Sequence, residues 1–250
     1  MMKWVILLSL LTISIAVVPF AFAGDLIVFE DFEDYEAEED PEGWDTDNTS
    51  FMDVVEDPVK NGEKSLKIHC PTDEQDVWIE FGREVQVVSV EFWIFPSTSS
   101  RTLSLLMLNG SVARENAGPY LGWGSCQAGF LCRYTGGAWG STGIRFEDNE
   151  WTYVKVVADL TRSPKSYDVY LGEGPDKLPD EPQGKNIPYR STAMSAFDRV
   201  LFLGWGDVAG PGYIDDFLVY EGTERPSGIF SISVEWMGKL ATKWGAVRNR

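Results

Sequence analysis

Apolar and polar residues alternate with a two-residue period through much of this chain, the spacing of strands that bury one face. The segments Asp76–Phe81, Val87–Phe95, Thr102–Asn109, Trp151–Leu160, Ser166–Leu171, Val200–Trp205 and Tyr213–Tyr220 all show it. They are rich in Val, Ile, Phe, Tyr and Trp and are separated by Gly, Pro, Asn and Ser, as strands divided by turns are. In Trp151–Leu160 the pattern puts Thr152, Val154, Val156 and Ala158 on one face and Trp151, Tyr153, Lys155, Val157 and Asp159 on the other. No stretch of the body carries the 3.6-residue stripe of an amphipathic helix, and no internal repeat stands out. Strands at this density predict an all-β domain, a two-sheet antiparallel β-sandwich. The Gly- and Pro-rich piece from Gly172 to Pro188 is expected to be a long loop.

Both ends differ from this body. Residues 1–23 open with Lys3, run almost wholly apolar from Trp4 to Phe22, and end in Ala21-Phe22-Ala23 after Pro19, the pattern of a cleaved signal peptide. The flank that follows is acidic, without the basic cluster that halts transfer. The mature protein is therefore expected to begin at Gly24, to keep no membrane span, and to be secreted or held at the cell surface. Residues 24–221 make the sandwich, and 222–250 read as a linker and a short basic tail with Lys239, Lys243, Arg248 and Arg250.

Export makes disulfides permissible. Of the three cysteines, Cys126 and Cys132 bracket five residues, a spacing suited to a bridge across a short turn, which leaves Cys70 reduced. The alternative is three buried thiols packed as small hydrophobes. No Cys-x-x-Cys occurs, so zinc and thioredoxin-like chemistry have no support.

Charge then narrows the partners. There are 39 Asp and Glu against 21 Lys and Arg, a formal net charge of −18, and no basic residue occurs between Gly24 and Lys60. Nucleic acid needs a basic footprint that this body does not supply. The single histidine, His69, excludes His-rich metal sites and two-histidine mechanisms, and it reads as structural at a strand end.

Several motifs, in this order, resemble one family. Phe29-Glu-Asp-Phe-Glu-Asp34, Gly43-Trp44 and Asn61-Gly-Glu-Lys-Ser-Leu-Lys-Ile68 resemble the opening of concanavalin A/laminin-G-like jelly rolls, including non-catalytic carbohydrate-binding modules. Val90-Glu-Phe-Trp-Ile-Phe-Pro96 resembles their central strand. Trp151–Leu160 followed by Asp168–Leu171, and the closing Tyr213-Ile-Asp-Asp-Phe-Leu-Val-Tyr220, resemble later ones. The resemblance spans about Leu26 to Glu221 and implies the jelly-roll fold. It does not imply an activity, because the fold hosts lectins, hydrolases, lyases and structural modules. It also implies a structural calcium where the first strand meets the last. Asp31 and Glu33 in the opening strand, one of Asp215 and Asp216 in the closing one, and carbonyls of the Asn61–Lys64 turn would be the ligands, with Glu33 and Asp216 favoured; a solvated acidic surface without metal is the alternative. Asp216 is expected to share a face with Ile214 and Leu218.

Catalytic motifs of such folds are missing. There is no Glu-x-Asp-x-x-Glu on a central strand to place two carboxylates for glycoside hydrolysis, no Gln-x-His with an arginine-rich strand for polysaccharide lysis, and no Gly-x-Ser-x-Gly elbow. Aromatic supply is large instead, with 10 Trp and 9 Tyr. Sugar C–H faces stack on exposed rings while polar neighbours fix the hydroxyls. Glycine-flanked Trp123, Tyr134, Trp139 and Trp205 are the candidate stacking residues and Arg133 their polar partner, whereas Trp93 and Trp151 read as core. The chain therefore reads as an exported, non-catalytic carbohydrate-binding domain for a polysaccharide or glycan. A structural or adhesive surface module, and a divergent polysaccharide hydrolase or lyase, are the alternatives.

Overall fold

The computed structural model describes residues 24–47, 51–69, 75–110, 114–204 and 210–227. The signal segment, Cys70, Trp205 and the basic tail lie outside the described residues. In chain order the strands are β1 Leu26–Glu30, β2 Trp44–Thr46, β3 Met52–Val55, β4 Ser65–Ile68, β5 Gln75–Val85, β6 Val87–Pro96, β7 Leu103–Leu108 and β8 Tyr120–Trp123. They continue as β9 Phe130–Thr135, β10 Ala138–Arg145, β11 Thr152–Asp159, β12 Ser166–Gly172, β13 Gly184–Pro188, β14 Phe197–Gly204 and β15 Gly212–Glu221. Two short 3-10 turns, Arg114–Asn116 and Pro175–Lys177, are the helical pieces among the described residues. None of these is long and apolar enough to cross a membrane.

The strands form two antiparallel sheets. The first has the order β13-β12-β11-β6-β15-β4-β3, with β1 also on β15. The second has the order β10-β9-β8-β7-β14-β5-β2. The core lies between them, and two-residue alternation decides what enters it. Val88, Val90, Phe92 and Ile94 of β6 and Val154, Val156 and Ala158 of β11 point inward to meet Leu103, Leu105 and Met107 of β7 and Val200 and Phe202 of β14. Phe92, Phe202 and Phe217 pack edge to face or tilted, with ring centroids 5.5–6.1 Å apart.

Four differences from the sequence reading have physical causes. Trp93 is buried but absent from the central core, because it shares the outer face of β6 with Ser89, Glu91 and Phe95 and packs on Tyr153 at 5.1 Å. Trp151 is partly exposed beside Phe95 on that same face. Within the expected loop 172–188, Gly184–Pro188 forms the edge strand β13 on β12, held through Ile187 and an almost side-chain-free approach at Gly184. Finally, residues 222–227 pack back on the sandwich: Gly222 N–H donates to Val87 O at 2.9 Å and Gly24 N–H to Glu224 O at 3.0 Å.

Candidate functional site

Beneath the aromatic candidates lies a second apolar cluster, on the outer face of the seven-stranded sheet. It consists of Leu106, Leu108, Ala117, Tyr120, Leu201 and Leu203, with Trp78, Tyr134 and Trp139 packed around it and only partly buried. Tyr134 and Trp139 are cross-strand partners in the β9–β10 ladder. Their ring centroids are 5.1 Å apart, and Tyr120 completes a triad at 5.0 Å from Trp139 and 5.3 Å from Tyr134. Gly122 makes this arrangement possible. A Cβ added there would stand 2.7 Å from the Trp139 ring and 2.3 Å from Ser125 Oγ, so the indole rests on the bare backbone of β8. Cys126 and Cys132 are joined by a disulfide with Cα atoms 5.7 Å apart, closing the β8–β9 turn beside this surface.

Two of the residues expected to act with this pair do not join it. Trp123 is fully buried in the central core, edge-on to Phe92 at 6.2 Å. Alternation sends Leu121 and Trp123 inward and Tyr120 and Gly122 outward, so the flanking glycines serve the turn at Gly124 (φ 72°) and the Trp139 seat, not access to Trp123. Arg133 lies on the opposite face of β9 from Tyr134, sharing the side of Leu131. The cation that does reach the aromatic surface is Arg190, whose guanidinium lies 4.7 Å from the Tyr134 ring and 5.1 Å from that of Tyr120. It comes from the loop after β13, where its N–H donates to Gly118 O at 2.9 Å. No local spacing links it to the rings, so sequence reasoning missed it.

The acidic candidates meet at a second place. β15 pairs with β4 through Gly212–Ile214 and with β1 through Phe217–Tyr220, and the β6 register shifts between Asp215 and Leu218. Asp215 and Asp216 thus sit where one partner strand hands over to the next, facing the chain that leaves β1 and the chain that enters β4. The bulge overturns the expected alternation. Asp216 has φ 47°, Ile214, Phe217 and Val219 enter the core, and Leu218 does not. Asp31 and Glu33 likewise lie in the turn after β1, not in the strand itself.

Here the acids are strongly engaged. Asp215 accepts from the N–H groups of Lys60 and Asn61 at 3.0 Å and of Asp216 at 2.8 Å. Burial, and then the Asp216 charge, push its pKa up to about 8 against those donors. Asp216 accepts from Asn61 Nδ2 at 2.5 Å, and its pKa rises to about 6 through burial, with Asp31 and Glu33 adding repulsion. Glu33 Oε1 caps the turn by accepting from Glu63 N–H at 2.9 Å and Lys64 N–H at 3.0 Å. The Lys64 ammonium donates to the carbonyls of Glu33, at 3.1 Å, and Tyr35. His69 Nε2 lies 2.5 Å from Asp53 Oδ2, a structural pairing at the end of β4.

The fold is that of concanavalin-like jelly-roll sandwiches. A sialidase superposes over 80% of this chain with TM-score 0.58 and 12% identity, and this chain spans 19% of that protein. The cellulose induced protein Cip1 matches 80% of this chain and 100% of its own at TM-score 0.56 and 14% identity. Domain 4 of AbnA, a GH43 extracellular arabinanase from Geobacillus stearothermophilus solved with arabinotriose, matches 82% and 96% at TM-score 0.50 and 16% identity. No protein-family model and no curated protein matches the sequence.

Proposed function

We propose that this protein is an exported, non-catalytic carbohydrate-binding module whose glycan stacks on Trp139, beside Tyr134. The reading is carried by that ring pair, partly exposed on a sheet face, with Trp139 seated on the side-chain-free backbone of Gly122. A stacking platform needs a ring held flat by its support and open on its other side, and an apolar bed of leucines provides the support. The likeness to AbnA domain 4 supports it as a fold that, in that protein, was solved with a bound oligosaccharide. Export rests on the signal pattern of residues 1–23.

Glycan-array binding followed by titration tests it. Trp139→Ala is expected to weaken the best ligand roughly tenfold, since a stacked ring is typically worth about 1–3 kcal/mol. Gly122→Ala keeps every ring yet drives a methyl against the indole, and is expected to weaken binding as well. Wild-type affinity in both variants would refute the site.

Calcium at the β1–β15 junction belongs to the same proposal. What supports it is oxygen chemistry suited to a hard cation: Asp216 is a buried carboxylate near Asp31 and Glu33, and calcium would take the place of the Asn61 Nδ2 that now donates to it. Among the described residues no three acidic, His or Cys side chains converge as a ready ligand set, so backbone carbonyl oxygens must supply much of the shell. Bound calcium would neutralise this acid cluster and fix the β15 bulge. EDTA is expected to lower the melting temperature and millimolar calcium to restore it, by about 2.7 kcal/mol of stability at a hundredfold excess over Kd. Asp216→Asn should blunt that response. A melting curve indifferent to chelator and calcium would remove the metal and leave the glycan site untouched.

A further inference from the structure

We infer that the aromatic platform selects a glycan carrying a uronate carboxylate, read by Arg190; this deepens the glycan-binding proposal and rests on it. The starting observation is a contrast in a chain with 39 acidic and 21 basic residues. Arg83, Arg114, Arg162, Arg199 and Arg225 each meet a carboxylate. Arg190 instead lies over two tyrosine rings, and among the described residues no carboxylate stands within ion-pair distance of it. It is partly exposed and adjoins the Tyr134–Trp139 pair through Tyr134.

The placement suits recognition of a planar anion. A guanidinium held over aromatic faces spends none of its N–H donors on them, and a carboxylate accepts two such donors side by side. Stacking also holds the side chain in place before the ligand arrives, which lowers the entropy lost on binding. Of the other arginines on this sheet face, Arg145 lies over the Phe130 ring at 4.7 Å, and two are paired with acids. Arg114 bonds Asp76 at 2.7 Å, and Arg199 bonds Glu80 at 2.8 Å and Asp198 at 3.2 Å. Their acids are therefore compensated, and Arg190 supplies a positive charge directly against Tyr134 and Tyr120. The net charge of −18 repels a polyanion at long range. At physiological ionic strength that field is screened within about 8 Å, whereas a direct carboxylate–guanidinium contact is not.

The test compares a uronate-bearing oligosaccharide with its methyl ester, which loses the charge and gains one methyl group, and with a sulfated oligosaccharide of the same backbone. Wild-type protein is expected to bind the free uronate at least tenfold tighter than the ester. Arg190→Ala should erase that preference, so that the variant binds uronate and ester equally. Arg190→Lys should keep part of it, because an ammonium cannot form the two-pronged contact. Equal binding of uronate and ester by the wild type, lost in Trp139→Ala, would overturn the role of Arg190 while preserving the glycan site. A stronger response to the sulfated sugar would overturn the carboxylate assignment. Binding of none of the three would overturn the glycan reading together with this inference.

Discussion

Trp123→Ala is expected to cost about 3–5 kcal/mol of folding stability, the range for removing a large aromatic side chain from a packed core. The indole is fully buried and packs edge-on against Phe92, which in turn contacts Phe202 and Phe217. Its removal opens a cavity at the meeting point of both sheets, where neighbouring strands cannot move in to fill it. A domain of this size loses roughly 2–4 °C of melting temperature per kcal/mol, so thermal unfolding should shift by about 10 °C. Trp139→Ala should shift it far less, because that ring is already partly in water. The two tryptophans occupy similar glycine-flanked contexts in the sequence. If they gave equal thermal shifts, the assignment of Trp123 to the core and Trp139 to the surface would be wrong.

These two residues also mark how far the sequence can be read. Period-two alternation is set by the pleat itself, so the β6 and β11 segments and their core faces were legible directly. The same rule read one strand further puts Tyr120 and Gly122 on one face and Leu121 and Trp123 on the other. What it does not reveal is that Gly122 leaves space for a ring two strands away, because a glycine signals a missing side chain without saying what approaches it. Asp216 was misplaced for the opposite reason. Alternation fails where β15 changes partner from β4 to β1, and nothing local to Tyr213–Tyr220 announces that change. Arg190 and the Tyr120–Tyr134 rings are separated by more than fifty residues and meet only through the closure of both sheets. The disulfide was legible because its partners are six residues apart on one turn.

Arg225 lies in a segment that composition presents as a linker, and its replacement by alanine is expected to destabilise the fold by about 3 kcal/mol. Glu91 is fully buried on the outer face of β6. Its carboxylate accepts from Tyr220 Oη at 2.6 Å and Tyr153 Oη at 2.8 Å, has the Lys155 ammonium at 3.4 Å, and is clamped by the Arg225 guanidinium. Burial alone would raise the Glu91 carboxyl. The Arg225 charge and hydrogen bond, then Lys155 and Tyr220, outweigh it and hold the group below its ordinary value. Without Arg225 the buried charge keeps Lys155 and two hydroxyls, which places the loss at the lower end of the range for a broken buried pair. Adding Glu91→Gln to Arg225→Ala should recover part of it, because the uncompensated charge disappears while the tyrosine contacts can re-form. The pH dependence has a definite sign. A carboxyl held below its unfolded value adds stability above that value, and the contribution is lost as pH falls through the folded one. Wild type and Arg225→Ala should therefore differ most above about pH 5 and converge as the solution is acidified below the ordinary glutamate range, roughly 4.3. Melting temperatures of both proteins measured from pH 7 to pH 3 decide this: parallel curves would show that Arg225 contributes packing alone, and converging curves that its charge holds Glu91 ionised inside the fold.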